Sequence, residues 1–98
     1  MSVIAYHFWS LTCAPCKAIK PSIEDLKEEF DTVKWVSVNT QDDPNNYADT
    51  YSVRVVPTIV VVAKSLTGDN QSIDQHSGTN IAGYYRILRN GLRTTQQS

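Results

Sequence analysis

An apolar run, Val3-Ile4-Ala5-Tyr6-His7-Phe8-Trp9, gives way after three residues to helical spacing, and that junction limits what the chain can fold into. The run is rich in β-branched and aromatic side chains, which fit a buried strand. Ile4, Tyr6 and Phe8 fall on one face of such a strand, and Val3, Ala5, His7 and Trp9 on the other. Beyond it, Ile19, Ile23, Leu26 and Phe30 recur at three- and four-residue intervals, predicting a helix from Thr12 or Cys13 to about Phe30. Pro15 falls in its first turn, where a missing N–H costs nothing. Pro21 falls inside, removes the bond to the Lys17 carbonyl, and predicts a kink. Lys20, Glu24, Lys27 and Glu28 lie on the wet side.

The only two cysteines, Cys13 and Cys16, stand at this junction with two residues between them. A thiol at a helix N-terminus meets outward-pointing N–H groups and the positive end of the macrodipole. That field favours thiolate, the nucleophile of disulfide exchange. So short a loop is a poor structural staple, because closing it removes little unfolded-state entropy. The pair therefore points to a functional dithiol in a reducing compartment. The first residues lack a basic, then apolar, leader pattern, and no apolar run reaches membrane-spanning length, so a cytoplasmic chain is expected. A formal net charge of −1, with Lys and Arg dispersed among Asp and Glu, gives no support for nucleic-acid or membrane binding.

The 98 residues, 41% of them hydrophobic, suit one domain spanning residues 1–98 with a single core. A second strand is predicted over residues 33–38. Asp43-Pro44 has the form of an N-cap and first-turn proline opening a short helix through Tyr47, Ala48 and Tyr51. Residues 58–63 form an interior strand, 65–70 a hairpin connection, and 72–77 a more polar edge strand. Thr79 is expected to cap a last helix with Ile81, Tyr84, Tyr85 and Leu88 inward. Gly91 is expected to end it, with Arg86, Arg89 and Arg93 at its negative end and residues 94–98 a frayed tail. The order β-α-β-α-β-β-α implies an α/β fold whose central mixed four-stranded sheet is flanked by helices.

Phe8-Trp9, then Cys13-Ala14-Pro15-Cys16-Lys17 and Pro21, resembles the active-site segment of the thioredoxin family. Val56-Pro57-Thr58 is similar to that family's cis-proline landmark, and Gly78 to a third landmark before the last helix. The likeness covers residues 3 to 92 and implies a thioredoxin-like fold. Ala14 replaces the usual glycine, Thr12 a common tryptophan, and His7 a buried acidic residue whose lysine partner is matched by Ser37. With Met1 directly before the active-site strand, an extra N-terminal strand and helix are expected to be missing, which leans toward the smaller glutaredoxin-sized type.

The resemblance implies that Cys13 attacks a protein disulfide and that a better-buried Cys16 resolves the mixed disulfide. Lowering a thiol pKa from about 8.5 to about 7 raises the thiolate fraction roughly 15-fold at neutral pH, and a Brønsted slope of about 0.45 returns roughly 5-fold. The larger gain should come from holding Cys16 within reach. Pro15 and Lys17 would support the site. Trp9, Val56, Pro57 and Gly78 would contact substrate, with Val56 pairing to an extended segment; for Trp9, plain core packing is equally open. His7 has two readings, a base beneath Cys16 or a core histidine satisfying one hydrogen bond. No cofactor is expected beyond the Cys13–Cys16 disulfide. Protein disulfides are the expected substrates, with a thioredoxin reductase or glutathione as electron donor, and the chain is expected to be a monomer. A zinc site would have to recruit His7 and His76, which lack paired spacing. A shared iron–sulfur cluster and a non-catalytic protein-binding module are the remaining alternatives.

Overall fold

The computed structural model describes residues 2–65, 68 and 71–95. Its elements run β1 (Ser2–Trp9), α1 (Ala14–Glu29), β2 (Lys34–Asn39), α2 (Tyr47–Thr50), β3 (Thr58–Lys64), β4 (Gln71–Ser77) and α3 (Ile81–Thr95). The sheet order is β2-β1-β3-β4. β1 pairs parallel to β2 and antiparallel to β3, and β3 pairs antiparallel to β4. The two apolar strands are thus interior and the polar β4 is an edge, as the patterning requires.

Alternation along β1 divides the core. Val3 and Ala5 join Ile19, Ile23 and Leu26 of α1 and Tyr84, Ile87 and Leu88 of α3 on one face. Tyr6 and Phe8 join Val38 and Val60 on the other, under Tyr47 and Tyr51. Register then decides what meets at the sheet's end. Phe8 pairs with Thr58, and Thr58 with Ser77. The loops after Trp9, before Thr58 and after Ser77 therefore emerge side by side.

Four expectations change. α2 begins at Tyr47, not Pro44, because Asn39 and Asp42 form a bridge and Asn46 takes φ +56° before the helix. Asp43 still serves it, accepting the Tyr47 and Ala48 N–H groups at 3.1 and 2.9 Å. The last helix is capped by Asn80, whose Oδ1 accepts the Ala82 N–H at 3.1 Å, in place of Thr79. Gly91 does not end that helix: it is buried against β3, where a Cβ would lie 2.7 Å from Val61 Cγ1. Thr94 and Thr95 are helical and bonded, Thr94 Oγ1 to Asn90 O and Thr95 Oγ1 to Leu92 O, so the helix persists where fraying was expected. α1 runs through Pro21 as one element. Leu66, Thr67, Asp69 and Asn70 of the hairpin connection, and residues 96–98 of the tail, lie outside the described residues.

Candidate active site

Ser10, Leu11 and Thr12 carry the chain from β1 to α1. The Cys13 N–H donates to Ser10 O at 3.3 Å, and the Thr12 N–H to Ser10 Oγ at 3.3 Å, which folds the turn back on itself. Trp9 O accepts the Thr40 N–H at 2.9 Å and pins the end of β1. Cys13 is the N-cap of α1, with extended backbone, and Pro15 lies in the first turn. Its Sγ accepts the Cys16 N–H at 3.1 Å, the position an N-cap oxygen takes in most helices.

Cys13 and Cys16 form a disulfide with Cα atoms 5.3 Å apart. Cys16 was expected to be better buried, yet the two residues are 9% and 8% exposed. The near-equality follows from the loop across the site: Cys13 Sγ lies 3.7 Å from Val56 O, so that backbone covers the first sulfur. Val56–Pro57 is a cis peptide. The Gly78 N–H, on a residue at φ +101°, donates to Pro57 O at 3.0 Å and joins the third landmark to the second. A Cβ at Gly78 would meet open space, so glycine serves the backbone angle there.

Cys16 faces a different environment. It lines a cleft of about 300 Å³ with His7, Trp9, Ser10, Leu11, Lys17, Lys20, Glu24, Lys27 and Ser37. Trp9 is half-buried, lines this cleft and donates from Nε1 to Ser37 Oγ at 2.7 Å. Lys17 and Lys20 are exposed; Lys27 pairs with Glu24 at 3.6 Å. His7 Nε2 is buried without a hydrogen-bond partner, contrary to the expected single bond. Burial first, and the Lys27 ammonium second, lower its pKa from 6.5 to about 4, against an upward pull from Glu24. His7 is therefore neutral at physiological pH.

The site thus unites Cys13, Cys16, Pro15, Val56, Pro57 and Gly78 at one end of the sheet, with His7, Trp9 and Lys17 on the Cys16 side. The sequence reading passed over Leu11 and Val55, which are 62% and 58% exposed next to the site loops. Leu11, two residues before Cys13, was within reach of a sequence argument; Val55, far along the chain from both cysteines, was not. Tyr84, taken there as core alone, has a hydroxyl directed at the loop backbone; nothing in the sequence points to that. Among the described residues, no group of three or more His, Cys, Asp or Glu could hold a metal ion, and no helix is long and apolar enough to cross a membrane.

A helix-capping disulfide at the end of a mixed four-stranded sheet defines a CxxC protein of thioredoxin-like architecture. The Thioredoxin family model matches residues 2–84. The chain is 34% identical over 59 residues to a thioredoxin of Pyropia yezoensis, covering 59% of this chain and 54% of that one. It is 38% identical over 61 residues to the chloroplastic M-type thioredoxin of Triticum aestivum, covering 61% and 34%. It therefore spans about half, or less, of the length of these curated relatives. The crystal structure of Fasciola hepatica thioredoxin superposes with a TM-score of 0.74 at 26% identity, over 92% of this chain and 81% of that one. The chain belongs to the thioredoxin family.

Proposed function

We propose that this chain is a thiol–disulfide oxidoreductase that reduces protein disulfides by cycling Cys13 and Cys16 between dithiol and disulfide. One observation carries the reading: Cys13 Sγ caps α1 and takes the Cys16 N–H at 3.1 Å. The same N–H is available to a Cys13 thiolate in the reduced protein, where a charge-assisted bond is roughly twice as strong as a neutral one.

The reduced Cys13 thiolate attacks one sulfur of the substrate disulfide. A Cys13–substrate disulfide forms and the other substrate sulfur leaves as thiolate. The Cys16 thiolate then attacks Cys13 Sγ, the mixed disulfide breaks, and the second substrate sulfur departs. Two electrons have passed to the substrate, its sulfurs take up two protons, and the protein holds the Cys13–Cys16 disulfide. An external dithiol or thiol donor restores it. Val56 O, 3.7 Å from Cys13 Sγ, is placed to accept an N–H from an extended substrate segment. Exposed Leu11 and Val55 offer apolar contact beside that path; the Pro57 ring, expected to contact substrate, is fully buried and shapes the loop instead, with Gly78 behind it and Trp9 on the Cys16 side.

Pro15 sets the helix start, and Lys17 adds positive potential on the Cys16 side. His7 takes no proton in this scheme. Moving one from an ordinary thiol near 8.5 to a base at about 4 is uphill by about 6 kcal/mol, so His7 stays neutral at the floor of the Cys16 cleft. The electron donor is a thioredoxin reductase or glutathione, and assaying which of the two recycles the oxidised protein separates thioredoxin-like from glutaredoxin-like behaviour. A monomer working in electron transfer and redox homeostasis in the cytoplasm fits the dispersed charge and the lone cysteine pair; the chloroplastic M-type relative makes the chloroplast the alternative compartment.

The test is insulin reduction with dithiothreitol as donor. Cys13→Ser should fall to the uncatalysed rate while keeping the wild-type circular dichroism spectrum. A Cys13→Ser protein as active as wild type refutes the reading.

A further inference from the structure

The loop carrying Val56 is secured by a hydroxyl from the far side of the core. Tyr84 of α3 is fully buried. Its Oη donates to Gly78 O at 2.5 Å and lies 3.3 Å from Pro57 O, so one proton is shared between two carbonyls. Pro57 O also accepts the Gly78 N–H, closing a small ring of contacts around the loop and the turn. On the loop's other flank, Thr58 Oγ1 donates to Val55 O at 2.7 Å, with Ser77 Oγ 2.7 Å from that hydroxyl.

Tyr84 has little room to turn away. The His76 ring stands edge-on to it at 4.8 Å, in the space that a Cβ on Gly83 would occupy. His76 Nε2 lies 3.1 Å from Asn80 O, just before the helix. For packing alone a phenyl ring would suffice at position 84, because a buried hydroxyl costs free energy unless it is bonded. Here both acceptors are backbone atoms of segments that border the disulfide. Burial raises the phenol from 10.0 to about 12, so it stays a donor throughout the physiological range.

We propose that Tyr84 is a positioning residue for disulfide exchange: its hydroxyl, through the Pro57 and Gly78 carbonyls, holds the Val56 backbone beside Cys13 Sγ so that substrate backbone and substrate sulfur arrive together. The assignment rests on the disulfide-reductase reading of the site. It separates two kinds of substrate, since a protein disulfide uses the Val56 backbone and a small disulfide needs only the sulfur.

The experiment compares wild type with Tyr84→Phe in three readouts: insulin reduction, reduction of 2-hydroxyethyl disulfide, and hydrogen exchange of the Gly78 amide. Tyr84→Phe should raise KM for insulin several-fold with kcat changed less than twofold. It should leave the rate with the small disulfide within twofold and speed Gly78 exchange about tenfold, without speeding the β3 amides. Unchanged KM for insulin, or equal losses with both disulfides, overturns the assignment. Should Tyr84→Phe fail to fold, Tyr84→Met fills the buried position without a donor for the two carbonyls and should give the same split between substrates; its absence again overturns the assignment. A wild-type protein that leaves insulin intact instead removes the reductase reading beneath it.

Discussion

Replacing His7 by Phe should change how stability depends on pH, in a direction fixed by the burial of its imidazole. In the folded chain the His7 pKa is about 4, against 6.5 for an exposed histidine. As pH falls below 6.5 the unfolded state binds a proton that the folded state refuses, so stability drops. The contribution is complete above pH 6.5, shrinks through the window below it, and is exhausted near pH 4, where the folded protein also protonates. One pKa unit corresponds to about 1.36 kcal/mol, so between pH 7 and pH 5 wild type should lose about 2 kcal/mol that His7→Phe keeps. The assay is urea unfolding of the oxidised protein at constant ionic strength, from pH 4.5 to 8. With a slope of about 1 to 2 kcal/mol per molar urea, the wild-type midpoint should fall by about 1 to 2 M relative to the variant between pH 7 and pH 5. A constant offset from repacking the larger ring is immaterial, since the reading is the pH-dependent difference. Curves that stay parallel across the window would refute the claim that His7 is held neutral by burial.

Three further outcomes follow from the described contacts. Cys16→Ser should accumulate a covalent adduct between Cys13 and a protein disulfide, visible on non-reducing gels, while Cys13→Ser should trap none. Gly91→Ala gains about 1 kcal/mol of helix propensity but overpacks Val61 at a cost of about 1 to 3 kcal/mol, so it should be neutral to destabilising by about 2 kcal/mol. A double-mutant cycle with Val61→Ala should show a coupling of about 1 kcal/mol, and strict additivity would contradict the contact. Asp43→Ala removes the acceptor for two N–H groups of α2 and should cost about 1 kcal/mol, lowering Tm by about 4–8 °C. An unchanged Tm would mean that solvent serves those groups equally well.

The parts of the fold that the sequence made legible are those written in short-range periodicity. The alternation in Val3 to Trp9 separates two core faces, and the spacing from Ile19 to Leu26 marks the buried side of α1, because each depends on a local repeat. Cys13 and Cys16 were legible for the same reason: strand, turn, N-cap and nucleophile lie within one stretch of chain. Gly91 misled because glycine has two physical meanings, a helix stop and a close approach, and only Val61, thirty residues earlier, decides between them. Asp43-Pro44 misled because the turn around Asn46 delays the helix while the carboxylate still reaches it. The environment of His7 depends on Lys27 and Glu24 from the helix above, and the acceptors of Tyr84 are backbone atoms with no side-chain signature.

Sulfur and Val56 carbonyl touch, yet they come from opposite halves of the chain, joined through the pairing of Phe8 with Thr58. The cover over the first sulfur is therefore only as secure as the strand pairing between the two halves. Parting β1 from β3 would bare Cys13 Sγ while leaving its bond to Cys16 intact.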